Sequence, residues 1–207
     1  MKLKLYYARN SGSFVARIII HELNLPCDFI AVTQKTLMTE LNENFLKINP
    51  KGRLPVLVTE NGEIITENQV ILQYLVDTYA AQREMQSLLP SLNNHTRYKI
   101  LEWVSFIRID LHYNFYLLHN SEIPPELKEK LFKSTLKEKL KYPESMLNNK
   151  QYLVDNFSIA DAYLFVILVW LKDVKIDITE YPNLAKYYLL LNERPSIKLS
   201  LKEKNMQ

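Results

Sequence analysis

The sequence predicts two domains: an α/β domain over residues 1–79, a linker over 80–92 and an all-helical domain over 93–207. Three observations carry this. Strand-like alternation and β-branched runs occur only in the first part, interleaved with helical periodicity. All three glycines, at 12, 52 and 62, fall there too, at turns. Beyond Leu92 the strand signals vanish and apolar residues recur at helical spacing.

Leu3 to Tyr7 reads as a first strand and Ala8 to Gly12 as a polar loop. Ser13 is a good N-cap for a helix with Phe14, Ile18, Ile19 and Leu23 on one face. Asn24-Leu25-Pro26 stops it, and Asp28 to Val32 is a second strand, giving a right-handed parallel βαβ unit. Residues 34–47 read as a loosely periodic helix through Leu37, Leu41 and Phe45. Asn49 to Arg53 is a turn around Pro50 and Gly52. Pro55 cannot donate to a ladder, so it belongs at the first position of the strand Val56-Leu57-Val58-Thr59. Asn61-Gly62 is the pair that tolerates positive φ in a tight hairpin, and Ile64-Ile65 is the return strand. Thr66-Glu67-Asn68 then leads into a third helix burying Ile71, Tyr74, Leu75 and Thr78. This order is that of a thioredoxin-like α/β domain.

In the second half, residues 94–120 read as a long helix with Ile100, Leu101, Val104, Ile107, Leu111 and Phe115 on one face. Residues 124–147 form another, with a lysine-rich outer side and a kink expected at Pro143. Ser158-Ile159-Ala160-Asp161 has the spacing of a capping box and opens a third. Pro182 starts a last helix ending at Glu193-Arg194-Pro195.

Composition narrows the function. The net charge of +3, from 26 basic and 23 acidic side chains, is no polyanion-binding signature, so nucleic acid is not an expected partner. One cysteine, Cys27, excludes an internal disulfide framework and reads as a buried small hydrophobe. The first residues lack the apolar core of a signal peptide, and the apolar run around Ala162–Leu171 is too short to span a bilayer. The expectation is a soluble, cytoplasmic protein. A cis Leu54-Pro55 bond would turn the backbone of Leu54 outward as a free edge for another peptide. The helix start at Glu67-Asn68 can hold a carboxylate. Together they suggest a small anionic peptide ligand.

Asn49-Pro50-Lys51-Gly52, the Leu54-Pro55-Val56-Leu57 segment, the Asn-Gly hairpin and Ile65-Thr66-Glu67-Asn68 before a helix resemble the glutathione site of cytosolic glutathione S-transferases, most closely the bacterial beta class. The resemblance runs from about residue 3 to residue 197. It implies the glutathione transferase fold, reduced glutathione as co-substrate, no metal, a homodimer and a detoxifying role. The expected reaction conjugates glutathione to small hydrophobic electrophiles through a bound thiolate. Two other readings share the scaffold: a non-catalytic ligand- or partner-binding protein, and a glutathione-dependent isomerase of the maleylacetoacetate type.

The resemblance also assigns residues. Ser13 would donate its hydroxyl to the thiolate, with Ser11, Tyr6 or Tyr7 as other donors, and His112 would face the sulfur. In the beta class a cysteine precedes that serine; here Gly12 stands in its place, which removes thiol exchange through a protein cysteine. Leu54 and Pro55 would line the cysteinyl backbone, Glu67 and Asn68 the γ-glutamyl end, and Lys35 or Thr36 the glycyl carboxylate. Ser105 and Asp110 lie within two turns of His112 and complete the glutathione-binding set. Tyr7, Ser11 and Trp170 would contribute to the acceptor pocket, though a core role is the commoner one for such a tryptophan.

Overall fold

The computed structural model describes residues 2–206, with side chains to Glu203. They form two compact units: one runs to Gln86 and takes back the tail from Arg194, and the other is Ser87–Glu193.

The first unit is built on β1 (Leu3–Tyr7), α1 (Ser13–Glu22), β2 (Cys27–Thr33), β3 (Met38–Thr39), β4 (Val56–Val58), β5 (Ile64–Thr66) and α2 (Asn68–Tyr79). The strands form one sheet in the order β3-β2-β1-β4-β5. β1 and β2 run parallel with Leu5 opposite Phe29, as the βαβ reading requires. β4 is antiparallel to both β1 and β5, with Leu57 between Leu5 and Ile65. Period-two alternation sends Tyr6, Ile30, Val32 and Val56 to one face, where they close on Phe45. α1 is buried from Ser13 to Ile20, more completely than a one-sided apolar stripe implies. α2 buries Ile71, Leu72, Leu75 and Val76.

Residues 34–47 are not the expected helix. Leu37 and Asn42 take left-handed backbone conformations, φ 53° and 60°, which end any helical run. The chain forms β3 antiparallel to β2, and a single 3₁₀ turn at Phe45–Lys47. Phe45 is the buried anchor, whereas Leu41 is 59% exposed. In the hairpin only Gly62 has positive φ, 86°, so Asn61 does not use its tolerance for that region.

The tail also departs from expectation. The helix α8 (Pro182–Asn192) is followed by a further one, numbered α9 below. In the second unit, α3 (His95–Phe106) runs through a π-helical segment, Ile107–His112, into α4 (Tyr113–His119). A short α5 (Pro125–Leu127) continues through a second π segment, Lys128–Lys133, into α6 (Ser134–Met146). α7 (Ile159–Trp170) is buried at every residue and is the axis of this unit. Its capping box forms as expected: Asp161 accepts from Ser158 N–H at 2.9 Å while Ser158 Oγ accepts from Ala160 N–H. Asp161 also accepts from Leu153 N–H and Tyr187 O–H, so one buried carboxylate fixes α7, its approach and α8.

The last helix, α9 (Pro195–Met206), belongs to the first unit and packs on α1. Two ionic clusters join them. Glu22 accepts from Arg194 and from Ser196 Oγ. Glu203 meets His21 Nε2 at 2.9 Å and Arg17 Nη1 at 3.6 Å.

Among the described residues no helix is long and apolar enough to cross a membrane. The lysine-rich side of α5 and α6 is largely neutralised, Lys133 by Glu129, Lys137 by Glu180, Lys139 by Asp110 and Lys141 by Glu138.

Candidate functional site

At the start of α1 the N-cap is Gly12, not Ser13, and no side chain caps the helix there. Gly12 sits at φ −59°, ψ −12°, an ordinary helical conformation that needs no glycine. Ser13 is the first helical residue, so its hydroxyl is released from capping. It lies 2.5 Å from Ser11 Oγ, and both hydroxyls reach the carbonyl oxygen of Ala8, Ser11 at 3.0 Å and Ser13 at 3.2 Å. Two protons serve three contacts, so one hydroxyl donates to Ala8 while the other can donate to its neighbour. The first N–H groups of the helix are taken locally: Ser13 by Ser11 Oγ, Phe14 by the Ser11 carbonyl and Val15 by the Gly12 carbonyl. What α1 offers a ligand is therefore hydroxyl protons and the positive end of its dipole.

The tyrosines of β1 are placed differently. Tyr6 is buried against Phe45, and burial, with Glu43 second, raises its hydroxyl pKa. Tyr7 is buried with the Arg17 guanidinium 4.1 Å above its ring.

The Leu54–Pro55 bond is cis, as the sequence argument required. Leu54 is half-buried against the Tyr6–Phe45 cluster. The turn before it is held by the buried Asn49, whose side chain donates to the Arg53 carbonyl at 2.7 Å and accepts from Lys51 N–H. Glu67 is the N-cap of α2 at φ 69°, a left-handed conformation for a residue with a side chain. Its carboxylate is paired with Lys51 Nζ at 2.5 Å, and Lys51 also donates to Thr66 Oγ1. Lys51 and Glu67 lie sixteen positions apart, so no local pattern announces the pair. Asn68 begins α2. Its Nδ2 donates to the Gly12 carbonyl at 2.8 Å, while its buried Oδ1 has no partner among the described residues. The starts of α1 and α2 are thus tied by one side chain. Lys35 and Thr36 sit exposed in the turn between β2 and β3.

In the helical unit, His112 ends the first π segment. Its Nδ1 is 2.7 Å from the hydroxyl of Tyr163 in α7, and Trp170 packs edge-on against it at 5.0 Å between ring centres. Burial, helped by the positive charge of Arg108, pushes the imidazole pKa down to about 4. Trp170 is buried and also packs against Phe115, with 5.5 Å between ring centres. Asp110 is ion-paired with Lys139, and Ser105 is exposed two residues before the π segment. A recess of about 660 Å³ lies elsewhere in this unit, floored by Trp103, Phe106 and Tyr142; it holds none of the expected site residues. Cys27 is half-buried rather than buried, its thiol pKa pushed up to about 12 by its surroundings, so it is an inert thiol. Among the described residues no group of three or more His, Cys, Asp or Glu is arranged to hold a metal.

Residues 5–83 match the family described as glutathione S-transferase, N-terminal domain, and residues 109–204 the corresponding C-terminal domain. A bacterial beta-class glutathione S-transferase from Sphingomonas chungbukensis is 31% identical, with a TM-score of 0.91 over 99% of this chain and 100% of that one. The chain belongs to the glutathione S-transferase family. A sphingomonad glutathione S-transferase solved in complex with glutathione is 30% identical, with a TM-score of 0.92 over 99% and 100% of the two chains. The glutathione S-transferase GstA of Escherichia coli O157:H7 is 29% identical over 206 residues, 99% of this chain and 100% of the relative. The solved structures similar to this chain include a bacterial beta-class enzyme, yet this chain carries Gly12 where the resemblance calls for cysteine.

Proposed function

We propose that this protein is a cytoplasmic, homodimeric glutathione transferase that joins reduced glutathione to small hydrophobic electrophiles. The observation that carries the reading is the pair of buried hydroxyls at the start of α1, Ser11 and Ser13, bonded to each other and to one carbonyl. When a thiol arrives, Ser13 turns its proton to the sulfur while Ser11 keeps Ala8 satisfied. No buried polar group is stranded by the exchange. A free thiol has a pKa of about 8.5, and bringing it near 6 takes roughly 3–4 kcal/mol. One charge-assisted hydrogen bond gives about 1.5–3 kcal/mol and a helix start up to about 2. Ser13 and the α1 dipole therefore suffice.

The rest of the ligand follows from the same unit. Leu54 and Pro55 receive the cysteinyl backbone, and the Asn68 N–H at the head of α2 receives the γ-glutamyl carboxylate. Glu67, held by Lys51, is the acceptor for the γ-glutamyl ammonium. Lys35 or Thr36 meets the glycyl carboxylate. His112 and Ser105 are assigned to the glutathione by the resemblance, and Asp110 is engaged by Lys139 within its own unit. The test is retention on immobilised glutathione followed by conjugation of a chlorodinitrobenzene-type acceptor. Retention with turnover that collapses in Ser13→Ala is the expected result. Retention without turnover in the native protein would overturn the enzymatic reading.

A further inference from the structure

We propose that the recess of the helical unit, walled by α3, the end of α6 and residues 150–155, is a binding site for a planar heteroaromatic molecule that carries no net charge. It lies wholly within Ser87–Glu193, and the proposal does not depend on the glutathione reading.

Size and floor point to a flat ring. A volume of about 660 Å³ falls within the roughly 300–1,000 Å³ of small-molecule sites. Trp103 and Tyr142 stack with 5.0 Å between ring centres and 23° between planes. Phe106 stands edge-on to both, at 85° and 73°. Trp103 is only 7% exposed, whereas Tyr142 remains 45% exposed, so the stack still has aromatic surface to offer. A planar ring laid on Tyr142 extends it. The opposite wall is fixed as well. Leu153 N–H donates to the buried Asp161 carboxylate at 2.9 Å, and Tyr152 packs edge-on against Phe157 with 6.1 Å between ring centres. Neither wall has to be ordered when a ligand arrives, which removes a main cost of binding.

The rim sets the charge and the polarity. Lys99 and Lys150 stand against Glu102 and Asp155, two cations with two anions, so the recess favours neither sign. Lys99 and Glu102 satisfy each other at 2.9 Å. Lys150, Gln151 and Asp155 are exposed, and among the described residues their side chains have no partner. An ammonium, an amide and a carboxylate together offer donors and acceptors to the nitrogen and oxygen edge of a heterocycle. An all-carbon ring would leave them to water.

The probe is riboflavin, an uncharged molecule with a three-ring heteroaromatic system, compared with its 5′-phosphate, which adds negative charge to the same ring. Binding is read by quenching of the flavin's own fluorescence on the native protein. A second readout is quenching of indole emission in Trp170→Phe, where Trp103 is the one indole left. Both should saturate at one flavin per chain. Riboflavin and its phosphate should agree in Kd within about threefold, since exposed rim charges are screened. Tyr142→Leu should weaken binding about 5- to 20-fold, the worth of one aromatic stack. Quenching that does not saturate, or a Tyr142→Leu variant that binds as tightly as the native protein, overturns the proposal. So does a marked preference for the 5′-phosphate, which marks an anion site. Quenching that disappears as protein concentration rises also overturns it, because the recess is then covered by a second copy of the chain.

Discussion

Asn68 Nδ2 donates to the carbonyl oxygen of Gly12 at 2.8 Å, joining the first residue of α2 to the N-cap of α1 across fifty-six positions of sequence. This bond sets the γ-glutamyl end of the proposed site at a fixed offset from its thiol end. Shortening Asn68 to serine keeps the helix N–H and removes the tie. We expect weaker glutathione binding by calorimetry, about 5- to 20-fold. The loss of stability in urea should be only about 1 kcal/mol, because the unpartnered Oδ1 disappears with the bond.

Ser13 and Ser11 should separate kinetically. In Ser13→Ala the sulfur loses its donor, and removing a bond to the charged form raises the thiol pKa by about 1–2 units. The pH profile of kcat/KM should therefore move to higher pH and kcat at neutral pH should fall about 10- to 100-fold. Ser11→Ala leaves Ser13 with Ala8 as a competing acceptor, so a smaller drop is expected. Equal effects, or a shift in Ser11→Ala alone, would move the donor role to Ser11.

Gly12 has helical dihedrals, so the position tolerates a side chain as far as its backbone is concerned. A Gly12→Cys variant puts a thiol at the head of α1, where the helix start lowers its pKa. We expect that variant, and not the native protein, to form a mixed disulfide with oxidised glutathione, seen as a mass increment reversed by reductant.

His112 should make stability depend on acid. Its pKa is lowered to about 4 in the folded chain from an unfolded value near 6.5, so the folded form holds fewer protons between those limits. Its contribution is fully present above the unfolded value and is lost as pH falls towards 4. The shift corresponds to roughly 3 kcal/mol at most. Urea midpoints measured from pH 7 down to 4 should fall less steeply for His112→Gln than for the native protein. Parallel curves would sink the claim.

Glu22 is the hinge pin of α9. Glu22→Gln leaves Arg194 facing a neutral amide in a half-buried setting, and should cost about 2–3 kcal/mol by urea unfolding. The chlorodinitrobenzene rate at saturating glutathione should be little changed at temperatures where the variant stays folded.

The legible parts of this sequence are those where one local pattern has one physical solution. The strand, helix, strand opening, the proline ahead of β4 and the Ser158–Asp161 box each state their own geometry. Residues 34–47 misled because Leu37, Leu41 and Phe45 happen to fall four apart. The signal against a helix was the density of Thr39, Asn42 and Asn44, whose short polar side chains bond their own backbone, as Thr39 does to Glu43 N–H. α9 was missed because Pro195 reads as a stop for α8 and equally as the first residue of a new helix. The pairs Lys51–Glu67, Asn68–Gly12 and Tyr163–His112 link positions with no periodic relation. Nothing in a single chain announces them before it folds.

Because α9 covers α1, that helix gains the contacts of Arg194, Ser196 and Glu203 only once residues far along the chain have been made. On the ribosome the thioredoxin-like half must wait, its first helix partly bare, until residues 194–203 have left the exit tunnel. A nascent chain arrested just before Arg194 should accordingly bind chaperone, while one long enough to bring Glu203 clear of the tunnel should not.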